Sequence, residues 1–176
     1  ITMNLANTPL FSDDQDYTNL YYMLALHEIS HYQIIPYDGC INAKLLKAAM
    51  KYVNQKLAPI VVNIVADLII DKMLYLKHPE LASWELRETY KRLKDRGDLS
   101  IFSNLLFAIY KKILGIDIID DPPNDVQTFL VERVVSTINK DFYDESTWEN
   151  KVERVAYYLS GIIKDTFTLI GRATQS

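Results

Sequence analysis

The sequence predicts an all-α fold: about seven helices in a single domain over residues 1–176, with little or no sheet. Three observations lead there. Apolar residues recur at three- and four-residue spacing through most of the chain. Each such stretch is bounded by residues suited to start or stop a helix. One stretch, "APIVVNIVADLIIDKMLYL", is apolar almost all round, as expected of a helix buried among others.

Taken in order, "SDDQ" at residues 12–15 matches a capping box, with Ser12 as N-cap and Gln15 reaching back. It opens a helix from about Asp13 to Tyr32. Pro36 and Gly39 in "IIPYDG" supply the break. A second helix is expected over roughly Ile41 to Lys56. Pro59 suits the first turn of a third helix, which runs to about Lys77. It ends at His78–Pro79, because the residue before proline avoids the helical region. These helices, residues 13–77, carry the candidate site.

Residues 80–170 are expected to form a C-terminal helical bundle. "ELASWELRETYKRLKDRGD" is amphipathic and stops at Gly97. "LSIFSNLLFAIYKKILG" stops at Gly115, and "IDIIDDPPND" reads as the main connector. Helices follow near Val126 to Phe142 and Thr147 to Ile170, with Gly161 as a kink or close-packing point. The tail "GRATQS" is expected to fray.

Composition narrows the function. Hydrophobic residues at 49% and charged residues at 24% describe an ordinary globular chain. A net charge of −4 gives no electrostatic case for nucleic acid or an anionic membrane. No uncharged apolar run reaches membrane-spanning length, and no signal peptide is recognisable. The chain begins with Ile1, which is compatible with a fragment of something longer. Cys40 is the only cysteine, which excludes an internal disulfide and a cysteine-based metal cluster. It is expected to be a small half-buried residue, and the location to be cytoplasmic. Abundant Ile, Lys and Tyr with scarce Gly suggest a thermophilic source.

The chemistry concentrates in "LHEISHYQ". His27, Glu28 and His31 form H-E-x-x-H. Residues i and i+4 lie about 40° apart around a helix, so both imidazoles can reach one ion. Glu28 lies beside them, where it can polarise a metal-bound water. Leu20, Leu24, His27 and His31 share one stripe, so the histidine face continues the apolar face and should point inward.

The third helix answers with a polar stripe. Asn63, Asp67 and Asp71 are spaced four apart on an otherwise apolar cylinder. Buried carboxylates need a positive partner. A Lys or Arg pairing or a solvent-facing stripe would serve, but the same ion held by His27 and His31 serves better. A catalytic zinc site takes three protein ligands and keeps one open position. Asp67 is the first choice for the third ligand and Asp71 the second. The other can hold a histidine ring nitrogen, as can Asn63. His78, about 16 Å along the axis from Asp67 and beside a proline, is expected to be a surface residue.

"HEISH" followed by "NIVADLIID" resembles the zincin-like metal-dependent peptidases associated with von Willebrand A domain proteins. The resemblance covers residues 20–74. That family's pattern is an HExxH helix followed by N-x-x-x-D-x-x-x-N. Asn63 and Asp67 match its first two positions, and Asp71 departs from the third. The resemblance implies Asp67 as third zinc ligand. Zincins usually carry a small sheet before the HExxH helix, and only about twelve residues precede that helix here. The substrate-binding edge is then missing, or supplied by upstream sequence or a partner protein.

The favoured expectation is therefore a zinc metallopeptidase acting on peptides or proteins, with His27, His31 and Asp67 as ligands and Glu28 as general base. Tyr32, Tyr37 and Tyr52 are available to stabilise the oxyanion, and the sequence does not choose among them. The alternatives are a helical scaffold with a structural or vestigial metal site, and a hydrolase acting on a non-peptide substrate.

Overall fold

The computed structural model describes the backbone of residues 13–173 and side chains as far as residue 168. Among them are seven α-helices and no strand: α1 (Asp14–Gln33), α2 (Gly39–Ala49), α3 (Ala58–Lys77), α4 (Pro79–Asp95), α5 (Ile101–Leu114), α6 (Asp125–Asn139) and α7 (Trp148–Ala173). A 3-10 turn, Glu145–Thr147, precedes α7.

The boundaries follow local chemistry. Ser12 lies outside the described residues, and the N-cap of α1 is Asp13, whose carboxylate accepts from the Gln15 amide at 2.9 Å. Asp38 caps α2 in the same way. Pro59 sits in the first turn of α3, and Pro79 opens α4. Ser100 caps α5, and Asn124 with Gln127 forms a full capping box on α6. Gly97 and Gly115 stop α4 and α5 at φ of +71° and +70°, a conformation that a side chain disfavours.

The structure differs from expectation at four points, the ends of α2 and α6, Gly161 and Cys40. The second helix was expected to reach Lys56 but ends at Ala49. The side chain of Asn54 accepts from the amides of Lys56 and Leu57, which gives the backbone a turn in place of a continued helix. Gly161 is not a close-packing point. It is exposed, α7 runs through it, and a Cβ there would meet nothing within 4 Å. Cys40 is exposed rather than half-buried.

The sixth helix stops at Asn139, short of Phe142, and Lys151 of α7 explains the end. Only 2% exposed, Lys151 directs its ammonium to the carbonyls of Thr137, at 3.3 Å, and Lys140. These are carbonyls left without partners by the end of α6. A buried cation thus caps one helix from the next, although burial pulls the lysine below its ordinary pKa. Lys151→Met keeps the volume but abandons both carbonyls. It should cost about 1–3 kcal/mol, read as a lower urea midpoint with unchanged slope.

Helix α3 is the axis of the molecule and packs against all six other helices. Val61, Val65 and Ile70 on it are fully enclosed. From the far side α7 offers Val152, Val155, Ala156, Leu159 and Ile163, all on one face and all fully buried. Enclosing α3 on every side leaves its few polar residues no route to bulk solvent except through gaps between its neighbours. One such gap lies among α1, α3, α4 and α5.

Candidate metal centre

Helix α1 crosses α3 with its histidine face inward. His27 Nε2, His31 Nε2 and Asp67 Oδ1 meet at one point. The two nitrogens are 3.2 Å apart, and they lie 3.3 and 3.2 Å from the carboxylate oxygen. A tetrahedral zinc with bonds of about 2.0–2.1 Å would hold its ligands about 3.3 Å apart.

The far ends of these side chains fix which atoms face inward. His27 Nδ1 lies 2.7 Å from Asp71 Oδ1, and His31 Nδ1 lies 3.3 Å from the Ile35 carbonyl oxygen. Both partners are acceptors, so each Nδ1 carries the proton and donates it. Each Nε2 is then left with a lone pair. Asn63 Nδ2 donates to Asp67 Oδ2 at 2.8 Å, which turns the other carboxylate oxygen toward the imidazoles. That oxygen is buried and receives no hydrogen bond. Three lone pairs therefore converge, an arrangement that calls for a cation.

Without a metal, the available cation is a proton. Burial works against a charge on His27, but the carboxylates of Asp67 and Asp71 beside it outweigh that and push the ring to about 10. Asp67 is held below its ordinary value: burial opposes this, and the two histidines prevail. Asp71 is braced from behind, since Tyr110 donates to its Oδ2 at 2.7 Å. Burial, and then the charges of Asp71 and Asp67, hold the Tyr110 phenol well above its usual range, so it remains a donor.

The centre opens on a cavity of about 470 Å³. Its walls are mostly aliphatic and aromatic, with Leu24, Leu74, Leu86, Leu106 and Phe107 among them. Glu28 lines it, half-buried and without a hydrogen bond or ion pair among the described residues. Compared with family models, with curated proteins and with solved structures, the chain matches none.

Of the sequence candidates, His27, His31, Asn63, Asp67 and Asp71 belong to this one network, and Glu28 borders it. His78 lies apart, its ring against Tyr22 at the end of α3. Tyr32, Tyr37 and Tyr52 do not line the cavity. Tyr32 is 80% exposed, Tyr37 donates to Glu145, and Tyr52 packs on Tyr157.

Two cavity residues were missed by sequence reasoning. Tyr110 gave no signal, being one of three aromatics in the apolar α5. Glu85 did give one. It falls three residues after Ala82 and one before Leu86, inside the apolar stripe of α4, where a charge is out of place.

The two aspartates should separate under mutation. Asp71→Ala removes the acceptor behind His27, which is also the acceptor for Tyr110, and should weaken zinc binding about 10- to 100-fold. Asp67→Ala removes a converging oxygen and should weaken it further. Competition titration against a chromophoric chelator measures both, and the reverse ranking would make Asp71 the ligand.

Proposed function

We propose that the protein is a zinc-dependent peptidase, with His27, His31 and Asp67 holding the metal and Glu28 acting as general base. The observation that carries this reading is the convergence of three lone pairs, each fixed by a partner on its far side. Two imidazoles and one carboxylate are a donor set suited to zinc. A zinc ion there would supply Lewis acidity, polarising a carbonyl and making a water acidic near neutral pH. Glu28, facing the cavity with no partner among the described residues, takes the proton from the attacking water and delivers it to the leaving amine. Asn63, Asp71 and Tyr110 keep the ligands aimed.

The resemblance to the peptidases associated with von Willebrand A domains supports the same reading. Its departure, Asp71 where Asn is expected, is chemically mild. Either side chain offers an oxygen to the His27 Nδ1–H, and the aspartate adds charge. No helix among the described residues is long and apolar enough to cross a membrane. Cys40, an exposed free thiol, suits the reducing interior of a cell, where we place the protein.

A second reading, a helical scaffold with a structural metal site, is favoured by one observation. The described residues contain no strand, hence no sheet edge for an extended peptide to join. The test is direct. Protein as purified should contain about one zinc per chain, and the loaded protein should cleave members of a mixed peptide library. Zinc without cleavage of any peptide would transfer the case to the scaffold.

A further inference from the structure

The cavity beside the metal centre contains a carboxylate that the reaction does not use. Four acidic side chains line it: Glu28, Asp67, Asp71 and Glu85. Asp67 is engaged by Asn63 and the histidines, and Asp71 by His27 and Tyr110. Glu28 adjoins His27 and has the role of base. Glu85 comes from α4, a different wall, and its carboxylate makes no hydrogen bond or ion pair among the described residues. No lysine or arginine lines the cavity. The rest of the wall is largely apolar, and about 470 Å³ falls in the lower half of the range for small-ligand pockets.

We propose that this cavity receives the N-terminal residue of a peptide, its α-ammonium held by Glu85 and its apolar side chain by the leucines and Phe107. The inference rests on the hydrolase reading only for the bond that is cut; the recognition stands by itself. An unpartnered carboxylate in an apolar wall is costly until a cation arrives. Burial, reinforced by the charge of Asp71 and opposed by His27 and Arg92, raises Glu85 to about 7. An ammonium group on the ligand relieves that cost. A substrate's C-terminal carboxylate would meet like charge and find no basic partner, which argues against removal of C-terminal residues. A long extended segment has neither a sheet edge among the described residues nor the room.

The test is calorimetric titration with L-leucinamide and with N-acetyl-L-leucinamide, on protein stripped of metal with a chelator and after zinc loading. The two differ in the charged amine and keep the same side chain. Leucinamide should bind at least about 10-fold more tightly in both preparations. Glu85→Gln should weaken leucinamide about 10- to 100-fold, the usual weight of a charge-assisted hydrogen bond, and leave the acetylated compound unchanged. Glu85→Asp should restore part of the preference, which a merely structural role would not do. Equal binding of the two compounds by the parent, or binding of neither, overturns the proposal whether or not a variant folds. The two readings fail separately. Leucinamide binding that depends on Glu85, with no peptide cleaved, removes the hydrolase and keeps the amine site. Cleavage of N-terminally blocked peptides as fast as free ones does the reverse.

Discussion

Glu28→Gln should retain zinc and fold and lose nearly all turnover. Glu28 is one residue from His27, yet it belongs to neither the converging triad nor the hydrogen bonds behind it. Glutamine has the same shape, so packing around the half-buried side chain is preserved. What disappears is the ability to accept a proton. A positioned general base contributes about 10²- to 10⁴-fold, so a peptidase of measurable activity should fall to background. Zinc content and melting temperature should match the parent. If Glu28→Gln cleaved peptides at the parent rate, with equal zinc, Glu28 would not be the base.

The other large effect is on metal loading. His31→Ala should reduce zinc from about one per chain to none detectable at stoichiometric metal. The site has three converging donors, and losing a ligand should cost more than the roughly 10- to 100-fold typical of a residue behind a ligand. His27→Ala should do the same, and it also strands Asp71, which would keep only Tyr110 as donor. Affinity should rise with pH. The metal-free His27, at about 10, holds a proton near neutrality that zinc must expel. Below pH about 10 each unit upward removes part of that competition. Calorimetry in buffers of different ionisation enthalpy should therefore show proton release on zinc binding. Full loading of either alanine variant would remove the site as drawn.

Much of this centre was written in local spacing. The i, i+4 histidines and the i, i+4, i+8 polar stripe of Asn63, Asp67 and Asp71 are helical periodicities, and periodicity survives without tertiary information. The same holds for the helices, whose caps at Asp38, Ser100 and Asn124 act on amides three residues away. Boundaries decided by distant partners were less legible. The end of α6 depends on Lys151, eleven residues beyond Lys140 and anchored in another helix. The end of α2 depended on a local competitor, the Asn54 side chain, which a helical reading of the apolar pattern passed over.

The sequence by itself determined the helical class and the two faces that carry chemistry, because both arise from the geometry of a single helix. Only the tertiary structure decided how those faces meet. That Asp67 Oδ1 lies between the imidazoles while Asp71 stands behind His27 depends on the height at which α1 crosses α3. A slide of one turn, about 5.4 Å, would bring a different residue of the polar stripe opposite the histidines, with no change in any local pattern. The placing of Glu85 and Tyr110 is likewise a matter of packing, since α4 and α5 contribute them from walls that no spacing in the chain connects. Local periodicity fixes which residues share a face; the burial of apolar surface around α3 fixes which faces touch.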